Sequence, residues 1–278
     1  MEGGGEPVKM KIGIIGVGNM GSALIRGVIK AGLYLPLDIL GADKDLAKLR
    51  TLSQEIGIKP CENNKEVVRG AEVVILAVKP QDIKFVLGQL RDVVRENQVL
   101  ISIAAGIPLS FIEQTLGRTI PLIRAMPNTP ALIGRGVTAL APSQHATDDH
   151  VTVAKKIFEA VGSAVVVDEA MMDLVTALSG SGPGFVFRIM EAFVDAGLRE
   201  GMDQETALHL VVDTFVGAAC LVRESREALA SLREKVTSPG GTTAAGLEVM
   251  EELGIGELIY NVVARATFRA KELGKQVA

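Results

Sequence analysis

The sequence predicts an α/β domain on a doubly wound, mostly parallel sheet, followed by an all-α domain. Two observations carry that expectation. Through the first half, short runs of Val, Ile and Leu ("KIGIIG" at 11–16, "LDILGA" at 37–42, "VVILAV" at 73–78, "VLISIA" at 99–104) alternate with helix-period segments. Continuous apolar runs mark strands covered on both faces, and the intervening helices supply the crossovers of βαβ units. From residue 147 the texture turns helical almost to the end. The expected divisions are a flexible tail at 1–10, the α/β domain at 11–167 and the helical domain at 168–278.

Bulk properties narrow the function classes. The 278 residues are 48 % hydrophobic and 22 % charged, as in a soluble globular chain. Net charge is −4, which argues against nucleic acid as a partner and requires a local electropositive pocket for any anionic substrate. Tryptophan is absent, so the core rests on Val, Ile, Leu, Ala and Met. Cys61 and Cys220 lie far apart, and His145, His150 and His209 form no ligand pattern, so neither a disulfide framework nor a metal is expected. No apolar run reaches transmembrane length, the candidate "LHLVVDTFVGAACLV" being interrupted by His209 and Asp213. The opening "MEGGGEPVK" has no apolar core of a signal peptide, and a cytoplasmic location without membrane contact is expected.

The first strand runs into "GVGNMG", Gly16 to Gly21, and a helix with apolar positions Met20, Leu24 and Val28 and a C-terminal Gly32. Alone this glycine pattern is weak; here the strand before it and the helix after it supply the required context. Gly16 would permit the tight turn, Gly18 would let backbone N–H groups approach a pyrophosphate, and Gly21 would allow close packing of helix on strand. The second strand ends at Asp43, which either accepts hydrogen bonds from a ribose and repels a 2′-phosphate, or caps the helix beginning "KDLAKL". Lys44 follows and could swing toward a phosphate. At the end of the third strand, "AVKP" places Pro80 in the first turn of a helix and leaves Lys79 either facing a cofactor or solvated. "AAG" at 104–106 occupies the equivalent place on the fourth strand, small enough to leave room for a nicotinamide ring. "RAMPNTPALIGRG" at 124–136 reads as a turn-rich loop.

In the second half, Thr147 caps a helix and "AVVV" at 164–167 is a short strand. Helical patterns follow at 169–179, 183–200, 203–224, 225–236, 243–253 and 255–274. The pattern at 203–224 is apolar over much of its circumference, which implies either an obligate dimer or a central helix within one subunit. "LSGSGP" puts Pro183 at a helix start, open to roles as hinge, close helix contact or site wall. "TSPGGTT" at 237–243 holds only hydroxyls, glycines and one proline, with no acid, base or nucleophile. Its helix start either holds an anion on backbone N–H groups or is merely a stop, a turn and an N-cap.

With "GVGNMG", "AVKP", "SIAAG", "RAMPNTP", "LSGSGP" and "VTSPGGTT" in this order, the chain resembles the pyrroline-5-carboxylate reductases from Lys11 onward. The resemblance implies a Rossmann domain, a helical dimerisation domain and reduction of the ring imine of 1-pyrroline-5-carboxylate to L-proline, the last step of proline biosynthesis. It implies NADPH or NADH as cofactor and a homodimer, in many members built into a decamer of five dimers. It assigns the substrate carboxylate to Ser238, Gly240, Gly241, Thr242 and Thr243, with the Thr243 hydroxyl near the imine nitrogen as the catalytic group. The cofactor set comprises Gly16, Gly18, Asn19, Met20 and Gly21 in the first turn, and Asp43, Lys44 and Asn63 beyond it. Ala77, Val78, Lys79 and Pro80, then Ala104, Ala105 and Gly106, complete that set.

Two positions depart from the family pattern. Gly184 and Phe185 stand where a small residue and Tyr are usual, so that hydroxyl is lost. Asp43 stands where NADPH-preferring relatives have Ser, Asn or Arg, which leans the chain toward NADH. A β-hydroxyacid dehydrogenase would need a catalytic lysine on a later helix, and 169–200 contains none. A non-catalytic dinucleotide sensor would explain the glycine turn and leave "VTSPGGTT" without a purpose.

Overall fold

The computed structural model of the chain describes residues 10–277, so the expected tail lies outside the described residues except for Met10. The first half lays down β1 (Ile12–Ile15), α1 (Asn19–Lys30), β2 (Ile39–Ala42), α2 (Leu46–Ile56) and β3 (Lys59–Pro60). It continues with α3 (Asn64–Gly70), β4 (Val73–Leu76), α4 (Pro80–Leu90), β5 (Val99–Ser102) and α5 (Leu109–Leu116). Then come β6 (Leu122–Met126), β7 (Gly136–Pro142), α6 (Asp148–Glu159) and β8 (Gly162–Val166). The eight strands form one sheet in the order β3-β2-β1-β4-β5-β6-β7-β8. Every neighbouring pair is parallel except β6 with β7.

Strand alternation divides the core. Ile12, Ile14, Ile39, Ile75 and Ile101 point to one face, under α1 and α6 through Leu24, Ile25 and Phe158. Ile15, Leu40, Val74, Leu76 and Leu100 point to the other, under α3, α4 and α5 through Val67, Leu87 and Ile112. From β1 the chain moves outward to β2 and β3, then crosses back to β4 on the other side. This reversal is the switch point where an α/β sheet opens a ligand crevice at the carboxyl ends of its strands.

Residues 124–136 are not simply a loop. β6 runs into the segment as far as Met126, a 3-10 turn covers Thr129–Ile133, and β7 starts at Gly136. Pro127 and Pro130 punctuate the sequence and Arg124 interrupts the apolar run, which hid both strands. Thr147 does cap α6, accepting from the His150 N–H in a capping box.

The chain forms two compact units, one reaching to Ser181 and resuming at Arg265, the other Gly182–Ala264. Late in the first unit, α7 (Met172–Val175) runs into a π-helical turn at Thr176–Gly180. The second unit holds α8 (Gly182–Arg199), α9 (Gln204–Ser225), α10 (Leu229–Lys235), α11 (Thr242–Glu252) and the start of α12 (Ile255–Val277). α8 packs on α9 through an edge-to-face contact of Phe193 and Phe215, with centroids 5.7 Å apart, and through Gly197 against Ala207. Ala207 is the one buried residue between 182 and 264. Leu208, Leu210, Val216 and Leu221 on α9 are each about half exposed. α9 is therefore not a central helix within one subunit. Its 22 residues are also long and apolar enough to cross a membrane by length and composition, which corrects the sequence expectation that no run reaches that length.

Candidate functional site

The turn after β1 is shaped by what its glycines lack. Gly16 has φ +98°, and a Cβ there would lie 2.4 Å from the Ala77 carbonyl oxygen. At Gly21 a Cβ would lie 2.0 Å from the Gly16 carbonyl oxygen, so the first turn of α1 sits directly on the strand end. Gly18 differs, because a Cβ there would meet nothing within 4 Å. It is the N-cap residue of α1 and offers no capping side chain, so the helix N–H groups open onto free space.

That space is a cavity of 410 Å³ at the ends of β1, β2 and β4. Of the expected cofactor residues it gathers Gly16, Gly18, Asp43, Lys44, Ala77, Val78 and Lys79. Asn64, Asp82 and Phe85 line it too, and sequence reasoning passed over all three. Phe85 is 71 % exposed, an aromatic face left uncovered at the rim. The room beside Gly18, the uncapped helix start and the flat apolar rim fit a dinucleotide.

The remaining expected residues are placed as follows. Asn19 is exposed and Met20 packs against the core beneath α1; neither lines the cavity. Pro80 opens α4 with Lys79 as its N-cap residue. Asn63 is the N-cap of α3, its side chain accepting from the Glu66 N–H at 3.0 Å, and it is Asn64 that reaches the cavity. Ala104 is buried in the core, and Ala105 is half-buried. Gly106, at φ +75°, lies against the end of α12, where a Cβ on Gly274 would come 2.7 Å from the Gly106 carbonyl oxygen.

Asp43 does not cap α2. That role falls to Asp45, which accepts from the Lys48 N–H at 3.1 Å. Asp43 instead accepts from the Val17 N–H at 2.7 Å and the Asp45 N–H at 2.8 Å, tying the β2 end to the glycine turn. Lys44 makes an ion pair of 2.8 Å with Asp82 on α4, and that hydrogen bond and charge hold its ammonium above the usual lysine range.

Two other motifs meet within the first unit. Asn128 donates to the Ser179 carbonyl at 3.1 Å and accepts from the Val137 N–H at 2.9 Å. A Cβ on Gly180 would come 2.4 Å from the Met126 methyl. "RAMPNTP" and "LSGSGP" thus build one junction, where Gly180, at the end of the π-helical turn, leaves room for the Met126 side chain. Arg124, with its side chain 7 % exposed, lies 3.6 Å from Glu169 and 3.5 Å from Asp173.

The loop 237–243 belongs to the second unit. Gly240 takes φ +71°, Gly241 is the N-cap residue of α11, and no side chain caps the helix. Thr242 and Thr243 are therefore the first and second helical residues, and Thr243 is not an N-cap. A Cβ on Gly241 would lie 2.4 Å from the Ser238 hydroxyl oxygen. A hollow of 530 Å³ opens beside Gly240 and Gly241, bordered by Arg233, Thr237 and Glu248.

A family described as pyrroline-5-carboxylate reductase dimerisation matches residues 169–273, and one described as NADP oxidoreductase coenzyme F420-dependent matches residues 11–106. A pyrroline-5-carboxylate reductase of Methanosarcina acetivorans is 44 % identical over 266 residues, 96 % of this chain and 98 % of its own length. The structure of a pyrroline-5-carboxylate reductase from Coxiella burnetii superposes with a TM-score of 0.92 at 37 % identity, covering 96 % of this chain and 99 % of its own. A pyrroline carboxylate reductase of Plasmodium falciparum, solved with NADP bound, superposes with a TM-score of 0.85 at 28 % identity and the same coverage.

Proposed function

Because this chain belongs to the pyrroline-5-carboxylate reductase family, we propose that it reduces the ring imine of 1-pyrroline-5-carboxylate to L-proline, the closing step of proline biosynthesis. A bound nicotinamide dinucleotide supplies the hydride. The observation that carries the reading is the start of α11, whose N–H groups no side chain caps, in a loop without acid or base. An iminium forms readily in water, so the protein needs to grip a carboxylate and orient a ring rather than supply a strong acid.

In this reading the first half, 11–167, binds the dinucleotide, and the helical half, 168–278, binds substrate and dimerises. The N–H groups at the start of α1 and the room beside Gly18 receive the pyrophosphate. The segments Ala77–Pro80 and Ala104–Gly106 wall the reactive ring. Ser238, Gly240 and Thr242 present backbone N–H groups to the substrate carboxylate, Gly241 closes the loop by donating its N–H to the Ser238 carbonyl at 3.0 Å, and the Thr243 hydroxyl orients the imine nitrogen. Asp43 favours NADH, since its charge repels a 2′-phosphate. The exposed apolar surface of α9 supports a homodimer in place of a membrane span, with a decamer of five dimers as the larger assembly and the cytoplasm as its compartment.

Mixing the protein with 1-pyrroline-5-carboxylate and either NADH or NADPH, and following loss of the reduced nicotinamide absorbance, tests the reading. Turnover with at least one cofactor is expected. No turnover with either overturns it. A kcat/KM for NADPH more than about tenfold above that for NADH, roughly 1.4 kcal/mol, removes the role given to Asp43.

A further inference from the structure

The cavity at the ends of β1, β2 and β4 carries three carboxylates, Asp43, Asp45 and Asp82, and three ammonium groups, Lys44, Lys48 and Lys79. Two of the carboxylates are committed locally, Asp43 to the Val17 and Asp45 N–H groups and Asp45 to the start of α2. Asp82 is committed elsewhere. It stands in the first turn of α4 and holds Lys44, 38 residues away beyond β2, at 2.8 Å. The pair therefore joins two separate walls of the cavity. Lys44 follows the residue that faces the ribose in a doubly wound dinucleotide site, which is where a 2′-phosphate would lie.

We propose that Asp82 is a specificity-determining positioning residue: by holding Lys44 it withholds that ammonium from a 2′-phosphate and so lowers affinity for the phosphorylated cofactor. This rests on the dinucleotide reading of the cavity. An exposed ion pair is weak, and a phosphate offers a lysine a doubly charged partner with more acceptor oxygens. Binding the 2′-phosphate draws Lys44 away from Asp82 and sets that carboxylate against the phosphate. The unphosphorylated cofactor carries a hydroxyl in place of that phosphate, so at this position it offers Lys44 no anion to exchange for Asp82.

The reduced nicotinamide is excited at wavelengths where protein side chains do not absorb, so its own fluorescence reports binding. NADPH and NADH are titrated, without substrate, into the parent protein and into the Asp82→Asn, Lys44→Ala and double variants. Asp82→Asn is expected to tighten NADPH roughly two- to fivefold, the scale of one exposed ion pair, and to leave NADH unchanged. The gain should vanish in the double variant. A merely structural Asp82 would move both cofactors together, and that result, or an unchanged ratio, overturns the proposal. Binding of neither cofactor to the parent protein overturns the dinucleotide reading, and the proposal with it. A gain that survives Lys44→Ala shows that the phosphate is not recognised through Lys44 and also overturns it.

Discussion

The sheet and the helices at 182–264 are built from similar side chains and use them differently. Around the sheet, Ile, Val and Leu are buried on both faces, and each face closes over its own cluster. Between 182 and 264 only Ala207 is buried, while Phe187, Leu210, Val216 and Leu258 are each more than half exposed. Exposed apolar surface on this scale marks an association surface. A pattern of apolar residues thus specifies that burial must occur; the covering group need not come from the same fold unit.

The largest effect should come from breaking the open side of that contrast. Val212→Asp, on the exposed face of α9, is expected to abolish the soluble dimer and to yield insoluble or unfolded chain, because an unpaired charge would be desolvated at the interface. Size-exclusion with light scattering checks this. A folded, soluble monomer of the parent protein at micromolar concentration would break the comparison, since the helices would then need no partner.

Within the closed side, two glycines sharpen the difference between fold and site. Gly16→Ala should destabilise the protein by about 1–3 kcal/mol, since it forces a strained φ and a clash with the Ala77 carbonyl. Gly18→Ala projects a methyl group into open space. It should leave the thermal midpoint unchanged and weaken dinucleotide binding roughly tenfold or more, about 1.4 kcal/mol at least. Equal loss of stability in both variants would mean that the space beside Gly18 is only a packing feature.

Thr243→Ala asks the same of the helical side. As the second residue of α11, Thr243 is not the cap, so little stability should be lost. Loss of its hydroxyl should lower kcat about ten- to a hundredfold, less than an oxyanion-hole donor, because water can protonate the imine. Cofactor KM should stay constant, and Thr243→Ser should restore most turnover. Near-normal kcat with a lowered midpoint would reduce Thr243 to a structural residue.

The last effect is confined to the closed core and to alkaline pH, and vanishes near neutrality. Tyr34 is 3 % exposed, and burial, with the charge of Glu72, pushes its phenol up to about 12. The folded state keeps the proton that the unfolded chain releases near pH 10, so this contribution is intact below about pH 10 and fades as pH rises through 12. It is worth on the order of 2–3 kcal/mol. Thermal midpoints of the parent and Tyr34→Phe proteins should diverge over that window, the variant falling less. Parallel curves would break the assignment.

What could be read in the residues follows from how local each feature is. Strands β1, β2, β4 and β5 were legible because burial on both faces leaves unbroken apolar runs. β6 was not, because Arg124 sits inside it, and the compensating Glu169 and Asp173 lie more than forty residues on. α3 is seven residues with only Val67 and Val68 buried, too short for periodicity to emerge. The glycine turn was legible, being dictated by backbone sterics over six residues. The bonds from Asp43 to the turn and from Asp82 to Lys44 were not, since sequence separations of 26 and 38 close only when the sheet forms. Asn63 and Asn64 differ by one step of a helix start, a register that spacing does not resolve.

The last helix changes how the polypeptide can be cut. α12 starts in the helical unit, but from Arg265 onward it belongs with the sheet, where Ala270 is buried and Gly274 rests on Gly106. The sheet unit is therefore discontinuous in sequence, and the helical unit is an insertion attached by two strands of chain. A stop codon after Ser181 removes a piece of the sheet unit along with the helices. An isolated fragment that keeps all of the sheet unit must instead rejoin Ser181 to Arg265 across a short bridge. A single proteolytic nick between 182 and 264 leaves both cut ends still fastened to the same body.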